Sequence, residues 1–300
     1  MAFFEGFRRE LVDVGGGVGI RAVVGPARPG PAVLLLHGYP QTHMIWHRIA
    51  ARLSERCNVV ATDLRGYGDS AKPMTAPDHA PYSKRAMAAD QVAVMRKLGL
   101  ERFHLVGHDR GGRVGHRLAM DHAASVLSLT VLDIAPTLAM YEQTTDQFAR
   151  AYWHWFFLIR PAPAPERMIG ADPKAYLRHK MAEGSAGMKP FSPEAWAEYE
   201  LCWTPGTIHA SCEDYRAAAG IDLEHDRADR DAGRKVQAPV LALWGRHGII
   251  ERCFQPIEEW RRVAADVRGK ALDAGHYLAE EVPQLVIAEL EEFFSEKEAQ

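Results

Sequence analysis

Apolar runs alternate with amphipathic segments along the first 134 residues of the chain. The runs close on glycine or polar residues, which is typical of strands buried on both faces of a sheet. They comprise residues 31–38, 102–108, 126–134 and the start of 58–70. The segments at 46–55, 83–100 and after Gly111 have helical spacing, with Ser83 as the N-cap of the second. This alternation predicts a parallel sheet joined by right-handed crossovers.

The pattern changes after residue 134. From residue 135 to residue 237 it is helical, aromatic and interrupted by prolines, with no clear buried strand. Further segments follow: strand-like runs at 238–245 and 269–276, and helical patterns near 254–264 and 283–294. The sequence therefore predicts an α/β core in two parts, residues 1–134 and 238–300, interrupted by a helical cap at 135–237. The charged run at 222–235 is interpreted as a solvated hinge.

Composition excludes several classes of partner. Lys and Arg total 36 and Asp and Glu total 39, so the net charge of −3 gives no support for nucleic-acid or anionic-membrane binding. No apolar run is long enough to span a bilayer. The first ten residues, MAFFEGFRRE, resemble neither a signal peptide nor an anchor, because Glu5 interrupts their short apolar stretch. The four cysteines are scattered without metal-ligand spacing, so we expect a reduced cytoplasmic protein without a metal.

One stretch carries the strongest chemical signal. In VGHDRGGRVGHRLA, residues 106–119, a strand pattern ends, glycines follow and a helix begins. The motif G-x-nucleophile-x-G spans Gly107 to Gly111 and places Asp109 at its centre, which matches the nucleophile elbow of the α/β-hydrolase fold. The alternative is that Asp109 only caps the helix.

The other parts of that fold's machinery follow in the expected chain order. HGYP, residues 37–40, follows the first long strand, where the backbone N–H of Tyr39 would join that of Arg110 in an oxyanion hole. AGHYLAEEVP, residues 274–283, supplies His276 as the base after the last strand. We therefore predict an α/β-hydrolase fold, with a mostly parallel sheet flanked by helices and an inserted helical cap.

The third catalytic position is unusual. The loop RHGIIER after the strand at 238–245 lacks the expected aspartate, and Glu251 is a poor substitute in position. The preceding strand ends in VLDIAP, so we assign Asp133 to orient His276. The alternative is that Asp133 caps the end of its strand.

An aspartate nucleophile implies a particular reaction. A carboxylate is already anionic at neutral pH and can displace a leaving group from a saturated carbon, leaving an ester on Asp109. His276 then activates water, which attacks the ester carbonyl. The sequence therefore predicts hydrolysis at a carbon–halogen bond or an epoxide.

Two arginines favour the first of these substrates. Arg110 follows the nucleophile and Arg113 lies one helical turn beyond it. The planar guanidinium fork matches a carboxylate in a bidentate manner, so a substrate with a carboxylate beside the reacting carbon would be held against Asp109. The alternatives are a solvent-facing Arg113 and an Arg110 that contributes only its backbone.

Several motifs together resemble the fluoroacetate (haloacetate) dehalogenases of the α/β-hydrolase superfamily. They are HGYPQTHMIWHRIA, DLRGYGDS, VGHDRGGRVGHRLA, LDIAPT, YWHWFF and CEDYRA. The resemblance implies hydrolysis of small anionic 2-haloacids to glycolate and halide, without a cofactor. It also implies that His154, Trp155 and Tyr215 hold the departing halide, and that the protein is a cytoplasmic homodimer. From composition alone, WHWFF would be core packing.

Two other functions stay open at this point. An epoxide hydrolase would use the same triad, with Tyr141, Tyr152 and Tyr215 as candidates to polarise the epoxide oxygen. That family usually has Trp, not Arg, after the nucleophile. A catalytically retired hydrolase fold would act as a ligand receptor, although the intact triad argues against it. His43 and His47, spaced i,i+4, lack a third ligand and are interpreted as structural or pocket-lining.

Overall fold

A single eight-stranded sheet organises the chain, in a computed structural model that describes residues 3–298. Residues 1 and 2 of MAFFEGFRRE, the segment that was compared with signal peptides, lie outside this range. The strand order is β1-β2-β4-β3-β5-β6-β7-β8, antiparallel at β1–β2 and β2–β4 and parallel elsewhere. The strands are β1 (Arg8–Asp13), β2 (Gly19–Val24), β3 (Ala32–Leu36), β4 (Asn58–Thr62), β5 (Phe103–His108), β6 (Val126–Leu132), β7 (Val240–Gly245) and β8 (Val267–Leu272).

Helices cover both faces of this sheet, as the fully buried strands β3 and β5 require. They are α1 (Ala50–Leu53), α2 (Lys84–Lys97), α3 (Arg110–Asp121), α4 (Thr137–Glu142), α5 (Asp146–Ala151), α6 (Trp153–Leu158), α7 (Ala164–Ala171), α8 (Pro173–Glu183), α9 (Pro193–Cys202), α10 (Pro205–Ala219), α11 (Ile221–Asp231), α12 (Ile249–Cys253), α13 (Pro256–Val263), α14 (Leu278–Glu281) and α15 (Pro283–Glu298). Short 3₁₀ turns occupy His43–Trp46, Ala80–Tyr82 and Ala123–Ser125. Among the described residues, no helix is long and apolar enough to cross a membrane.

The mostly parallel sheet flanked by helices is the predicted one, and the N-cap of α2 is also confirmed. The Ser83 hydroxyl accepts a hydrogen bond from the backbone N–H of Ala86 at 3.2 Å. The helix predicted at 46–55 is only partly correct, because a 3₁₀ turn precedes the four-residue α1.

The hairpin β1–β2 was not predicted. Its first strand, RRELVD, is mainly charged, and only Val12 in it is buried. A half-exposed edge strand of this kind lacks the continuous apolar run that marks β3 and β5.

The chain between β6 and β7 forms helices α4–α11, here called the inserted helices, and residues 137–231 contain no strand. Most of the run at 222–235, which the sequence suggested as a solvated hinge, belongs to α11. Two acidic side chains of α11 are hydrogen-bonded to Arg117 in α3. The buried Asp229 accepts from Arg117 Nη1 at 2.6 Å, and Asp226 accepts from Arg117 Nη2 at 2.7 Å.

Candidate active site

The carboxyl ends of the parallel strands place the site at one edge of the sheet. Asp109 stands between β5 and α3 with φ of 47° and ψ of −114°, a backbone conformation that residues other than glycine rarely adopt. The turn is tight: a Cβ added to Gly107 would lie 2.5 Å from the backbone of Gly111. Asp109 makes no side-chain cap bond to α3, so the helix-cap interpretation is wrong. Its carboxylate is left for another role.

The loop after β3 binds this carboxylate. The backbone N–H of Tyr39 donates to Asp109 Oδ1 at 2.9 Å. A Cβ added to Gly38 would lie 2.4 Å from Asp109 Cβ, so only glycine permits the close approach. His37 Nε2 accepts from the backbone N–H of Leu64 at 2.9 Å and holds the loop in place. The loop thus presents a fixed donor to one oxygen of Asp109.

His276 and Asp133 form the second part of the site. His276 Nδ1 lies 2.6 Å from Asp133 Oδ2, while Asp133 Oδ1 accepts from the backbone N–H of Gly245 at 2.9 Å. Glu251 instead accepts a hydrogen bond from the indole N–H of Trp244. The contact made by Asp133 therefore supports it, and not Glu251, as the partner of the histidine.

The surrounding charges favour the ionised form of Asp109. Burial raises the pKa of this carboxyl group, but the nearby His276, Arg113, His108 and Arg110 together lower it by more, so the pKa lies below its ordinary value of 3.8. Asp109 is only 4% exposed. The site therefore contains a buried, anionic carboxylate at neutral pH.

Arg110 is fully buried, and a residue outside the predicted set binds it. Its Nε and Nη2 donate to the two carboxylate oxygens of Asp214 at 2.9 and 2.6 Å, and Nη2 also donates to the Asp214 backbone carbonyl at 2.8 Å. The bidentate fork predicted to hold a substrate carboxylate is thus occupied by Asp214, and that detail of the prediction is wrong. Nη1 alone has no hydrogen-bond partner within residues 3–298.

Arg113 is buried too, so a solvent-facing role is excluded. Its Nη1 donates to the carbonyl of Ala135 at 3.1 Å and to the hydroxyl of Thr137 at 3.0 Å, and Nη2 contacts Met140 Sδ at 3.1 Å. Arg113 Nε has no partner in the described part of the chain. Each arginine therefore keeps one buried nitrogen without a hydrogen-bond partner among the described residues.

Three further donors come from the inserted helices. His154 Nδ1, Trp155 Nε1 and Tyr215 Oη are buried without a hydrogen-bond partner among the described residues. The rings form one cluster with the arginines: the guanidinium carbon of Arg110 lies 4.1 Å from the ring centre of Tyr215, and that of Arg113 lies 4.7 Å from the ring centre of Trp155. The predicted residues are thus brought together with their polar atoms unpaired.

A cavity of about 530 Å³ lies between the strand ends and the inserted helices. Asp109, His276, His154 and Tyr215 line it. Lys180, which the sequence did not single out, lines it as well. Burial and the nearby Lys180 ammonium both lower the pKa of His154 well below its ordinary value, so its imidazole is neutral. Lys180 is one of two lysines in the polar pattern of α8, and nothing in that pattern distinguishes it.

One side-chain cluster outside this cavity has donor atoms close enough for a metal ion, within the described residues. Glu166, His209 and Glu213 bring their donor atoms within 4.8 Å of one another. Arg216 Nη1 already donates to Glu166 at 2.8 Å and to Glu213 at 2.6 Å, so an arginine already pairs with both carboxylates. His43 is structural, since its Nδ1 lies 2.8 Å from Asp63 Oδ1.

Comparison with known proteins agrees with this geometry. A family model described as alpha/beta hydrolase fold matches residues 31–281, and the chain belongs to that family. It is 51% identical over 295 residues to the fluoroacetate dehalogenase of Burkholderia sp., which covers 98% of this chain and 95% of the relative. The predicted resemblance to fluoroacetate dehalogenases is thereby confirmed.

More distant relatives and solved structures agree on the fold. The soluble epoxide hydrolase of Corynebacterium sp. strain C12 is 32% identical over 98% of this chain and 96% of its own length. A crystal structure from Nostoc sp. PCC 7120, assigned to the α/β hydrolases, superposes with a TM-score of 0.94. It is 51% identical, over 97% of this chain and 99% of that one.

Proposed function

We propose that this protein hydrolyses the carbon–halogen bond of small 2-haloacids such as fluoroacetate or chloroacetate, giving glycolate and halide. One observation carries the proposal: a buried anionic Asp109 at the elbow lies beside two buried arginines, each with one nitrogen that has no partner among residues 3–298. The 51% identity to the Burkholderia fluoroacetate dehalogenase supports the same reaction.

The first step forms an ester. Asp109 Oδ2, the oxygen that Tyr39 does not bind, attacks the halogen-bearing carbon of the substrate. A carbon–oxygen bond forms while the carbon–halogen bond breaks, and the electron pair leaves with the halide. We assign the substrate carboxylate to Nη1 of Arg110 and Nε of Arg113, which have no other partner among residues 3–298.

The donors of the inserted helices act on the leaving halide. Fluoride is a poor leaving group, and its negative charge appears only as the bond breaks. The unpaired donors of His154, Trp155 and Tyr215 would then make their hydrogen bonds in the transition state, which is where binding energy accelerates a reaction. In this proposal the inserted helices are a cap that supplies these donors.

The second step hydrolyses the ester. With Nδ1 bonded to Asp133, His276 has Nε2 free to take a proton from water. The hydroxide attacks Asp109 Cγ, and the N–H groups of Tyr39 and Arg110 stabilise the oxyanion. The bond between Asp109 Cγ and Oδ2 then breaks, and glycolate leaves with Oδ2 as its hydroxyl oxygen and takes one proton. The second proton of the water passes to solvent, and Asp109 is again a carboxylate, now with one oxygen from water.

One assay separates the candidate functions. Fluoride release from fluoroacetate, followed with an ion-selective electrode, is measured beside diol formation from styrene oxide. We expect halide release and little diol, because the unpaired arginine nitrogens favour an anionic substrate over a neutral epoxide. The unpaired hydroxyls of Tyr141 and Tyr215 are the observation that keeps an epoxide in the test. Turnover of neither compound would favour a receptor.

The assembly and location implied by the family resemblance are part of the same proposal. We expect a homodimer, located in the cytoplasm and without nucleic-acid or membrane partners. Sedimentation equilibrium of the purified protein tests the first point, and fractionation of the source cells tests the second.

A further inference from the structure

Asp214 has an unusually complete set of donors. It lies in α10, is fully buried, and directly precedes Tyr215. Besides its bonds to Arg110, its Oδ1 accepts from Lys84 Nζ and its Oδ2 accepts from Tyr67 Oη at 2.7 Å. An ionised carboxylate offers about four acceptor positions, so these four donors fill it. Asp214 is therefore committed to this network and is not available to a substrate.

The network joins separate parts of the fold. Arg110 begins α3, Lys84 begins α2, and Tyr67 lies in the loop after β4, whereas Asp214 belongs to the inserted helices. Lys84 is shared with a second acid, since its backbone N–H donates to Asp222 Oδ1 at 2.8 Å. Two buried cations from the core thus converge on one carboxylate from the inserted helices.

This arrangement fixes the orientation of Arg110. A guanidinium is planar, so two bonds along its Nε–Nη2 edge define its plane and its rotation. The ring of Tyr215 covers one face of that plane, with 4.1 Å from the guanidinium carbon to the ring centre. Nη1 is then the one nitrogen of Arg110 that a ligand can still use.

We propose that Asp214 is a positioning residue for carboxylate recognition: it holds Arg110 by the Nε–Nη2 edge and aims Nη1 at the substrate carboxylate. This inference rests on the proposed function, because it concerns the same site. The substrate carboxylate is then bound by a composite fork, made of one nitrogen from Arg110 and one from Arg113. Because Asp214 precedes Tyr215, the same contact also sets the position of a halide donor.

A purely stabilising role fits the contacts less well. Replacing a buried ion pair by apolar groups is often neutral or stabilising, so such pairs are a poor means of gaining stability. Here the arrangement also leaves Arg110 Nη1 and Arg113 Nε buried without partners within the described chain, which costs stability in the free protein. A ligand carboxylate that reaches both atoms would satisfy them.

The test compares Asp214→Asn with Asp222→Asn in the full-length protein. Asp222 is the matched control because it is a buried acid on the same network that makes no hydrogen bond to Arg110. The measurements are the Kd of acetate by calorimetry, and KM and kcat for chloroacetate. We expect Asp214→Asn to raise the Kd and the KM about ten- to a hundred-fold, and Asp222→Asn to change both less than about threefold.

A milder variant protects the test against loss of folding. Tyr67→Phe removes one hydrogen bond to Asp214 Oδ2 and should raise the acetate Kd about two- to fivefold, with a smaller change in kcat. Unchanged acetate Kd and KM in Asp214→Asn would overturn the inference, and so would an equal fall of kcat in both Asn variants at constant KM. If Asp214→Asn does not fold, an unchanged acetate Kd in Tyr67→Phe overturns it.

The measurement of the acetate Kd allows this inference and the proposed function to fail independently. A wild type that binds acetate but releases no halide contradicts the proposed hydrolysis, and the positioning role is still tested by the Kd values. A wild type that turns over chloroacetate while Asp214→Asn behaves identically contradicts the positioning role alone.

Discussion

The two halves of the active site differ in how their polar atoms are paired. In the half built from strand ends, Asp109 accepts from Tyr39, and His276 is bonded to Asp133. In the half supplied by the inserted helices, the donors Trp155 Nε1 and Tyr215 Oη are buried with no partner in the described chain. One half is complete before substrate arrives, whereas the other is incomplete.

The difference matches the chemistry that we propose for each half. The nucleophile and the base must be held in one geometry throughout the reaction, and paired hydrogen bonds provide this. Donors for a leaving halide are needed only when charge develops on it, so bonds within the protein would weaken them. We therefore expect substitutions in the first half to stop the chemistry, and substitutions in the second half to alter its dependence on the leaving group.

The largest effect is expected at Asp109. Asp109→Asn removes the anionic nucleophile while keeping nearly the same shape, so halide release from chloroacetate should fall by about 10⁶-fold. The rate is obtained by ion chromatography of chloride in samples that are quenched at successive times. Retention of more than a hundredth of the wild-type rate, after exclusion of deamidation by mass spectrometry, would falsify the nucleophile assignment.

The next effect tests the pairing within the same half. Asp133→Asn leaves His276 without an anionic partner and favours the wrong tautomer, so kcat should fall about 10³- to 10⁴-fold. Glu251→Gln is the control, because Glu251 accepts from Trp244 and should alter kcat less than about threefold. A severe loss in Glu251→Gln with a mild one in Asp133→Asn would reverse the assignment.

The unpaired half is tested by a matched pair of tyrosines. Tyr215→Phe should slow fluoroacetate turnover about a hundredfold, and chloroacetate turnover less, because chloride leaves more easily. Its thermal midpoint should not fall, since the lost hydroxyl has no protein partner among residues 3–298.

Tyr199→Phe provides the contrast. Its hydroxyl donates to Glu280 Oε1 and accepts from Gln41 Nε2 at 3.0 Å, so removing it should cost about 1 kcal/mol of unfolding free energy. Denaturant titration of both variants measures the difference. If Tyr215→Phe were destabilised as much as Tyr199→Phe, the Tyr215 hydroxyl would have a hydrogen-bond partner in the protein, and the difference between the two halves would not exist.

A smaller effect is expected for the carboxylate site. Arg113→Leu removes one charged hydrogen bond to the substrate, which should raise KM for chloroacetate about ten- to a hundredfold. Lysine at this position should not restore binding, because it lacks the planar guanidinium. In Arg113→Leu, the kcat/KM for chloroacetamide should rise relative to the kcat/KM for chloroacetate. An unchanged ratio of the two substrates would argue against an anion site here.

The smallest effect concerns pH. The pKa of Asp109 lies below its ordinary 3.8 and that of His154 well below its ordinary 6.5, so the first remains ionised and the second neutral at neutral pH. The rate of the first halide release in the wild type, followed by rapid quenching, should therefore be constant between about pH 6 and pH 8. A rate of this release that rises as the pH falls would indicate that a protonated His154 assists the halide.

Much of the fold could be predicted because its signals are local. The apolar runs of β3, β5, β6 and β7 follow from burial on both faces, and the glycines around Asp109 follow from the tight turn. The edge strand β1 of the hairpin and helix α11 were missed or misread, since their sequences are mainly charged. Their position depends on contacts such as the one between Asp229 and Arg117, which no local pattern encodes.

The candidate site divides in the same way. The proximity of Asp109, Asp133 and His276 could be predicted from the sequence, because each follows a strand and parallel strands end at one edge of the sheet. The partner of Arg110 could not be predicted from the sequence, since Asp214 lies 104 residues further along the chain. A single sequence indicates which side chains can pair but not which of them meet, so the fork of Arg110 was assigned to the substrate when Asp214 occupies it.

The central claim is that Asp109 becomes covalently attached to the substrate. Its most direct test is mass spectrometry of His276→Asn after incubation with chloroacetate. The first step needs only the nucleophile, whereas the second needs His276, so this variant should release about one equivalent of chloride and then stop. The peptide containing Asp109 should gain the mass of one carboxymethyl group. Continued chloride release over many turnovers from a protein whose Asp109 peptide stays unmodified would contradict the account.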